Sequence, residues 1–433
     1  MSRYQSICVV GLGYVGLPTA AVFAHKGVNV IGVDIDERKV CMINKGKSYI
    51  NEPGLQEILG KAVKEGRLKA TTTLKEAVNK CSAVLIDVPT PVRGFMVDLS
   101  YLDAVLRELS KLLRKGMLVV VESTIPPGTT KNFVAKRLAS SGLAVEEDYY
   151  LAHVPERIAP GKALYELTNE PRIVGGYGPE STEKALELYK IINNNLYPTN
   201  ATTAEFIKII ENTYRDLNIA YANLLALIAE KIGVDVYEAI KLANTHPRVN
   251  IHTPGAGVGG PCLTKDPYML FGVGLGTFGI DIITIERLIN QYMPIHMVEL
   301  TINALLQESI DPSKSTITIM GLAYKGGVDD TRESPAKYII EQLRDKVMEI
   351  RAHDPYTDES FGAKYYKDPY EALKGADAIL FVTDHKEYKS LNLDKVKALM
   401  RTPIIIDGRR IIDPLAAKSK GFKYLGIGYG VRD

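Results

Sequence analysis

The sequence has few cysteines and no long apolar run, and each absence excludes a class of protein. Its 433 residues include four cysteines, and none has the paired spacing of a metal site, so we expect neither a metal nor disulfide bonds. No apolar segment is long enough to span a membrane, and no secretory signal pattern is present. These features predict a cytoplasmic protein with reduced thiols.

The chain also lacks an excess of charge of one sign. It has 53 Lys and Arg against 51 Asp and Glu, a net charge of +2, so no basic surface points to nucleic acid or an anionic membrane. We therefore expect a small-molecule partner. A chain of this length exceeds one hydrophobic core and predicts two or three domains.

A glycine motif near the start predicts a dinucleotide site. Gly11, Gly13 and Gly16 stand between an apolar strand-like run and an amphipathic helix. In this arrangement the glycines permit a tight turn, backbone approach to a pyrophosphate and close packing of helix on strand. Asp34 follows at the spacing that binds ribose hydroxyls, and its carboxylate would repel the 2′-phosphate of NADP. Arg38 could bind that phosphate, but acidic residues precede it, so we predict NAD.

Further strand-like runs alternate with helical patterns and predict a parallel, doubly wound sheet. They cover residues 83–91, 117–124, 149–156 and 172–176. Ligands of such sheets bind at the carboxyl ends of the strands, and four polar or turn residues lie there: Pro89, Thr90, Thr124 and Glu156. Each alone is compatible with a turn or a helix cap, whereas four in register favour a site.

From Thr202 to about Ile232 the pattern becomes one long helix with a broad apolar face. That face contains Phe206, Ile209, Ile210, Leu217, Leu224, Leu225 and Ile228. Lys208 and Asn212 are four residues apart and share another face. They are compatible with a functional pair or with a solvated stripe in which Glu205, Glu211 and Arg215 form surface ion pairs.

After residues 307–315, alternating strands and helices predict a second doubly wound domain. It lacks the glycine motif, so a second dinucleotide is not indicated. Its strand-end loops carry cations suited to a nucleotide diphosphate, although basic loop tips are also common on solvated surfaces. These cations are Lys325, Arg332, Arg409 and Arg410.

Cys262 lies in the stretch TPGAGVGGPCLTKDP, residues 253–267. Glycines around it would fill a core badly but allow backbone to approach a ligand closely, which favours a functional thiol. Cys8, Cys41 and Cys81 occupy ordinary strand-like or helix-like segments, where we expect them to pack as small hydrophobic residues.

Together, these and other segments resemble the UDP-glucose/GDP-mannose dehydrogenase family. The resemblance rests on VVGLGYVGLPTAAVFA, VPTP, ESTIPPGTT, HVPERIAPG, AEFIKIIENTYRDLNIAYANLLA, GVGGPCLTKDP, GLAYKGGVDDTRESPA and DGRRIIDP. It implies an α/β fold in which two doubly wound Rossmann-like domains are joined by a central helical domain with a long spine helix. The implied domains are an NAD domain (1–199), a central dimerisation domain with the cysteine loop (200–306) and a UDP-sugar domain (307–433). A homodimer through the long helix is expected.

The resemblance also implies an activity, the oxidation of a sugar C6 alcohol to a carboxylate with two NAD. Cys262 matches the nucleophile, Lys208 and Asn212 match residues that stabilise an oxyanion, and Asp266 and Thr124 match residues that act through water. Glu156 matches the base proposed for thioester hydrolysis. The expected cofactor contacts are Gly11, Gly13, Tyr14, Val15, Gly16, Asp34, Arg38, Pro89, Thr90, Thr124 and Arg332. The expected substrate contacts are Glu156, Arg157, Lys208, Asn212, Arg248, Gly257, Tyr324, Lys325 and Arg409, with Arg248 coming from the partner of the dimer.

Two departures from glucose-type members bear on the substrate. The loop Pro155–Gly161 reads PERIAPG, in which Pro160 replaces an acidic residue that contacts NAD, and GGPC replaces GGSC. This loop resembles members that act on N-acetylated sugars and favours UDP-N-acetyl-D-mannosamine. UDP-N-acetylglucosamine and UDP-glucose remain alternatives, because many acetamido-type members have His where Pro261 stands.

Two other classes of protein share part of the pattern. A two-electron β-hydroxyacid dehydrogenase needs neither Cys262 nor a second α/β domain. A non-catalytic NAD or nucleotide-sugar sensor has no use for Cys262, Lys208 and Asp266 together. The number of NADH formed per substrate separates the three classes, at two, one and none.

Overall fold

The computed structural model describes residues 4–431, which form two compact units. The first unit contains residues 4–211 and 268–275, and the second contains residues 212–267 and 276–431. The predicted domain boundaries after residues 199 and 306 stay predictions.

The first unit is built on an eight-stranded sheet with the order β10-β9-β8-β7-β4-β1-β2-β3. Its strands, with the small hairpin β5–β6, are Ser6–Val10 (β1), Asn29–Val33 (β2), Leu68–Thr71 (β3), Ala83–Ile86 (β4), Val92–Arg93 (β5), Met96–Val97 (β6), Leu118–Val121 (β7), Tyr150–His153 (β8), Arg172–Gly176 (β9) and Leu196–Asn200 (β10). Its helices are Gly16–His25 (α1), Glu37–Asn44 (α2), Leu55–Lys64 (α3), Leu74–Val78 (α4), Ser100–Leu109 (α5), Ala135–Leu138 (α6), Ala163–Asn169 (α7) and Pro179–Tyr189 (α8). A π-helical turn, Thr130–Val134, precedes α6.

Helices cover both faces of this sheet, which explains why its central strands are apolar throughout. Successive side chains of β1 point to opposite faces. Ile7 and Val9 pack in the cluster that contains Leu17 of α1, whereas Cys8 packs in the cluster that contains Leu106 of α5. The predicted doubly wound architecture is therefore confirmed.

One detail of the predicted parallel sheet is wrong. Strand β9 runs antiparallel to β8, and β10 runs parallel to β9. The connecting helix α7 has seven residues and spans about 10 Å at 1.5 Å per residue, so it does not return the chain across the sheet. Consequently Arg172, the first residue of β9, lies at the edge where β8 ends.

The second unit has a parallel six-stranded sheet with the order β13-β12-β11-β14-β15-β16. The strands are Thr316–Met320 (β11), Glu349–His353 (β12), Lys364–Tyr365 (β13), Ala378–Phe381 (β14), Ile404–Asp407 (β15) and Lys423–Gly426 (β16). The remaining helices of the chain are Ala201–Ile232 (α9), Val236–Ala243 (α10), Asp266–Val273 (α11), Ile282–Gln307 (α12), Pro335–Leu343 (α13), Pro369–Leu373 (α14), Leu393–Leu399 (α15) and Pro414–Ser419 (α16). The predicted second doubly wound domain is thus present.

Helices α9 and α12 are joined by buried polar side chains. Arg287 Nη1 and Asn290 Nδ2 each donate to Asp216 Oδ1 over 2.8 Å. Asn223 Nδ2 donates to Asn290 Oδ1 over 2.9 Å, and Asn223 Oδ1 accepts from the amide of Gly255, at the start of the cysteine loop. The Asp216–Arg287 ion pair is almost fully buried, so loss of either partner would leave an uncompensated charge inside the unit.

The predicted apolar face of α9 is only partly buried. Ile209 is buried, but Phe206, Ile210, Leu224 and Ile228 are exposed. Periodicity identifies an apolar stripe but does not show which part of it another element covers. Within residues 4–431, no helix has the length and hydropathy that a membrane crossing requires.

The four cysteines differ in exposure, and one expectation about them is wrong. Cys8 and Cys81 are buried as expected, and Cys262 is half-buried. Cys41 is exposed, because it lies on the solvent side of α2, where Ile43 is the buried residue. Burial raises the pKa of Cys8 well above its normal value, and it also raises that of Cys81.

These differences predict the order in which the thiols react. Iodoacetamide should modify Cys41 in the native protein and leave Cys8 and Cys81 unmodified, because alkylation needs an accessible thiolate. Peptide mass mapping after a timed reaction measures each site, and a sample unfolded in urea should show all four modified. Native modification of Cys8 at the rate of Cys41 would contradict the described packing.

Candidate active site

The glycine loop after β1 has the geometry that was predicted for a pyrophosphate site. Gly11 has φ +92°, and a Cβ on it would lie 2.1 Å from the Asp87 carbonyl oxygen. A Cβ on Gly16 would lie 1.9 Å from the Gly11 carbonyl oxygen, whereas one on Gly13 would meet nothing within 4 Å. Gly11 and Gly16 are therefore required by close packing, and Gly13 leaves open space at the start of α1, where amide groups favour an anion.

Asp34 is fixed at the carboxyl end of β2. Its Oδ2 accepts from the amide of Leu12 over 2.9 Å, and its Oδ1 accepts from the amide of Asp36 over 3.0 Å. Lys39 Nζ lies 3.7 Å from Asp34, whereas Arg38 is almost fully exposed and lies beside Asp36. Lys39 is thus closer to the Asp34 carboxylate than Arg38 is, although the sequence prediction named Arg38 and not Lys39 as a cofactor contact.

The loops after β4 and β7 are tied side by side. Thr90 Oγ1 donates to the Thr124 carbonyl oxygen over 2.7 Å, and Ser123 Oγ donates to the Val88 carbonyl oxygen over 2.8 Å. Pro89 lies between these contacts and is exposed. The structure therefore brings Thr124 beside Thr90 and its neighbour Pro89, which the sequence placed on a different loop.

Three carboxylates hold the backbone of the loop after β8. Glu156 Oε1 accepts from the amides of residues 157 and 158 over 2.6 and 2.7 Å, and Glu166 accepts from the amide of residue 159 over 2.5 Å. Glu52 accepts from the amides of Gly161 and Ala163, each over 2.7 Å. Almost every available amide of the loop is bound, so its conformation is set before any ligand arrives.

The guanidinium of Arg157 makes its contacts within the first unit. It binds the Glu211 carboxylate through two nitrogens and donates to the Pro171 carbonyl oxygen over 2.9 Å. Glu205 is buried and accepts from the amides of Gly128 and Thr130. The alternative in which Glu205 and Glu211 form ordinary surface pairs on α9 is therefore wrong for Glu205.

Lys208 is half-buried, and its charge acts on His153 at the end of β8. The His153 ring is fully buried. Burial, together with the nearby Lys208 charge, lowers the pKa of His153 to about 3. His153 is therefore a neutral neighbour of Lys208.

A second group of predicted residues surrounds Cys262. Its carbonyl oxygen accepts from the amides of Lys265 and Asp266 over 3.1 and 2.9 Å, which forms a tight turn into α11. Asp266 is fully buried as the first residue of that helix, and Asn212 Nδ2 donates to Asp266 Oδ2 over 2.6 Å. The structure thus joins Asn212 and Asp266 directly, although 54 positions separate them.

The glycines before Cys262 are required by close approach, but the nearest atoms belong to the chain itself. A Cβ on Gly259 would lie 2.6 Å from the Glu333 carbonyl oxygen, and one on Gly260 would lie 2.9 Å from the Tyr324 ring. The Gly260 amide donates to the Arg332 carbonyl oxygen over 3.0 Å. We expected these glycines to allow close approach of a ligand. In the structure, Gly259 and Gly260 instead allow close approach of the loop that carries Tyr324 and Arg332.

The predicted cations of the second sheet fall into three environments. Arg409 donates to the Gly257 carbonyl oxygen over 2.9 Å, and Arg332 binds Asp330 through two nitrogens. Arg410 pairs with Asp235 over 2.6 Å, which takes it out of the set suited to a phosphate. Lys325 is exposed.

Arg248, which was expected to act across a dimer, is also exposed and lies in an exposed segment after α10.

Sequence reasoning missed two buried charges beside Glu156. Arg172 Nη2 donates to Glu156 Oε2 over 2.6 Å, and Arg172 Nη1 donates to Glu122 Oε1 over 3.2 Å. The available signal was a charged residue directly beside an apolar strand, in VVVEST and in EPRIVGG.

Comparison with known proteins decides the family. The NAD binding domain of the UDP-glucose/GDP-mannose dehydrogenase family matches residues 5–193, the central domain matches residues 202–291 and the UDP binding domain matches residues 318–414. The chain belongs to this family. It is therefore an NAD-dependent nucleotide-sugar dehydrogenase, and the predictions of family and cofactor are confirmed.

Individual relatives match over the full length. UDP-N-acetyl-D-mannosamine dehydrogenase of Pyrococcus horikoshii is 45% identical over 425 residues, which cover 98% of this chain and 99% of the relative. The solved structure of UDP-D-ManNAc dehydrogenase from the same organism matches with a TM-score of 0.93 at 44% identity and covers 99% of this chain and 100% of that one. The structure of NDP-N-acetyl-D-galactosaminuronic acid dehydrogenase from Methanosarcina mazei matches with a TM-score of 0.85 at 35% identity and covers 99% and 97%.

The position of Asp34 predicts how the family member chooses between NAD and NADP. Asp34→Ala should narrow the preference for NAD about tenfold, since the loss of about 1.4 kcal/mol of repulsion toward the 2′-phosphate changes the ratio of kcat/KM values by that factor. Initial rates with each cofactor measure the ratio, and Asp36→Ala is the matched control. Equal use of NAD and NADP by the unmodified enzyme would contradict the assignment.

Proposed function

We propose that this protein oxidises the C6 primary alcohol of UDP-N-acetyl-D-mannosamine to a carboxylate, with two molecules of NAD and a covalent intermediate on Cys262. The observation that carries the proposal is the turn in which Cys262 precedes the buried Asp266, which is itself bound by Asn212. A single alcohol oxidation needs no thiol, whereas oxidation of an aldehyde to an acid by hydride removal needs a nucleophile that first adds to the carbonyl carbon.

The residues of the first unit fit the cofactor. Open space at Gly13, the amides at the start of α1 and the fixed carboxylate of Asp34 would hold the pyrophosphate and the adenosine ribose. Pro89, Thr90 and Thr124 lie at the ends of neighbouring strands in the same sheet. NAD, when bound, supplies the hydride acceptor for each of the two oxidations.

The protein's own groups then act on the sugar in turn. Asp266, through a water, takes the C6 hydroxyl proton as the aldehyde forms. The Cys262 thiolate adds to the aldehyde carbon and forms a C–S bond, which gives a thiohemiacetal. The second oxidation leaves a thioester on Cys262, and water then breaks the C–S bond to release the uronic acid and the thiolate.

Two donors stabilise the negative oxygen that develops on C6. Lys208 and Asn212 lie one turn apart on α9, and one N–H of the Asn212 amide already binds Asp266. That contact orients the amide and leaves its second N–H for the oxyanion. Lys208 adds a positive charge in a partly buried place, where it acts more strongly than in water.

The substrate assignment rests on the loop Pro155–Gly161. Glu156, Glu166 and Glu52 bind its backbone amides, so the loop has a fixed conformation before the sugar binds. The P. horikoshii relative is named for UDP-N-acetyl-D-mannosamine. A panel of UDP-N-acetylmannosamine, UDP-N-acetylglucosamine, UDP-N-acetylgalactosamine and UDP-glucose tests the assignment, and the first should have the highest kcat/KM.

A homodimer is part of the proposal. Tyr214, Tyr221, Leu224 and Ile228 of α9, and Ile285, Leu288 and Tyr292 of α12, are all exposed. Their spacing of three, four or seven residues places them in a stripe on each helix. An exposed apolar area of this kind is typical of a protein interface, and the partner that we propose is a second copy of the chain. Arg248 would then reach the partner's substrate.

The covalent step predicts a specific defect. Cys262→Ala should lose uronic acid formation but still bind NAD and UDP-sugar, because the first hydride removal does not use sulfur. Cys262→Ser should trap a slowly hydrolysed ester. NADH counted per sugar, with mass spectrometry of the protein, measures both effects, and Cys8→Ala is the control. Uronic acid formation at the normal rate by Cys262→Ala would exclude the covalent mechanism.

The dimer predicts a dependence on the apolar stripe. Leu288→Glu should convert the protein to a monomer, because a carboxylate in an apolar interface loses its hydration. Light scattering after size-exclusion chromatography gives the mass. Leu415→Glu is the matched control, since Leu288 is 60% exposed and Leu415 is 72% exposed on the short helix α16. A wild-type protein with the mass of one chain would contradict the proposal.

A further inference from the structure

Three charged side chains meet inside the first unit at the carboxyl edge of its sheet. Glu122 follows β7, Glu156 follows β8 and Arg172 opens β9. In a uniformly parallel sheet Arg172 would lie at the opposite edge, so the reversal of β9 creates the cluster. Arg172 bridges the two carboxylates, with N–O distances of 2.6 Å to Glu156 and 3.2 Å to Glu122.

The bridge is held from below by Tyr189. Its hydroxyl donates to Glu122 Oε1 over 2.7 Å, and the Arg172 guanidinium lies 5.2 Å from the centroid of its ring. Burial raises the pKa of Glu122 to about 7, although the Arg172 charge opposes that shift. Burial alone would lower the pKa of Arg172, but the two carboxylates outweigh it and keep the guanidinium charged.

Such a cluster contributes little to the stability of the fold, but it fixes the orientation of the side chains in it. Desolvation of buried charges offsets most of their attraction, so apolar side chains of the same volume often stabilise a fold as well or better. The two-point bridge does restrict the Glu156 carboxylate to one orientation. The bridge therefore matters through the function of Glu156 rather than through stability.

The geometry leaves Glu156 one open position. An ionised carboxylate accepts about four hydrogen bonds. Oε1 already accepts from the amides of Arg157 and Ile158, and Oε2 accepts from Arg172. The guanidinium of Arg157 does not bind Glu156, because it binds the Glu211 carboxylate and the Pro171 carbonyl oxygen instead.

We propose that Arg172 is a positioning residue, supported by Glu122, that fixes the orientation of the Glu156 carboxylate for its role as the base in hydrolysis of the Cys262 thioester. This inference rests on the proposed function. Glu156 acts in it as an oriented hydrogen-bond acceptor that aligns the water for attack on the thioester carbon. The water oxygen bonds to the thioester carbon, Glu156 accepts the proton of that water, and the C–S bond breaks to release the uronic acid and the Cys262 thiolate.

Arg172→Lys tests the role, because lysine keeps the charge but not the two-point bridge. Misplacement of about 1 Å costs up to about a hundredfold in rate, so we expect the steady-state kcat to fall tenfold to a hundredfold. The value of kcat/KM for UDP-sugar should not change, because hydrolysis follows formation of the acyl-enzyme. In rapid-quench experiments two NADH per active site should form in a burst. The sugar acyl group should then be found on Cys262 by mass spectrometry.

Several variants complete the design. Glu156→Gln should accumulate the same acyl-enzyme, and Glu122→Gln, which retains an acceptor for Arg172 and Tyr189, should show a smaller burst. Arg351→Lys is the matched control, because Arg351 is a largely buried arginine on β12 that pairs with Glu349 and with the Lys374 carbonyl. It should show wild-type kinetics. Thermal unfolding and NAD binding of each variant identify any that fails to fold.

The outcomes separate this inference from the proposed function. One NADH per sugar in the wild type, with no acyl group on Cys262 in any variant, would overturn the proposed function. Two NADH in the wild type and an acyl-enzyme in Glu156→Gln, but a wild-type kcat in a folded Arg172→Lys, would overturn only the role of Arg172. A folded Arg172→Lys that loses the burst phase itself would also overturn it, since the defect would then precede hydrolysis.

Discussion

Buried carboxylates hold the backbone amides of the loops at the carboxyl edges of both sheets, and the rest of the site depends on this contact. An amide in a strand-end loop has lost its ladder partner and must be satisfied elsewhere. Asp34 binds the loop after β1, Glu156 and Glu52 bind the loop after β8, and Asp354 binds the amides of Leu322 and Ala323 after β11. Each loop is thereby ordered without a ligand.

The two sheets use this contact in the same topological place. In each, the acid directly after the second strand of a βαβ unit, Asp34 or Asp354, accepts from the loop after the first strand. The first loop then presents open space at Gly13. In the second loop the acid is fully buried, where Asp354 also binds His385 over 2.9 Å, and Lys325 is exposed. One scaffold thus serves a dinucleotide in one unit and a different nucleotide in the other.

Buried carboxylates outnumber buried cations around Glu156. Two carboxylates share Arg172, and burial raises the pKa of Asp87, beneath the glycine loop, well above its normal value. An arrangement selected for stability alone would pair such charges one to one or replace them with apolar side chains. The excess of carboxylates therefore indicates that this edge of the sheet orients polar groups at a cost in stability.

The sequence by itself determined the features that depend on residues close together in the chain. The glycine motif with Asp34 and the alternation of strands and helices in both sheets depend on local spacing, which periodicity and turn chemistry express directly. Only the tertiary structure decided the partners that depend on strand direction and on distant loops. Arg172 reaches Glu156 because β9 is reversed, and Gly260 must be glycine because Tyr324 packs against it. Such contacts join residues far apart in the chain, so no local pattern records them.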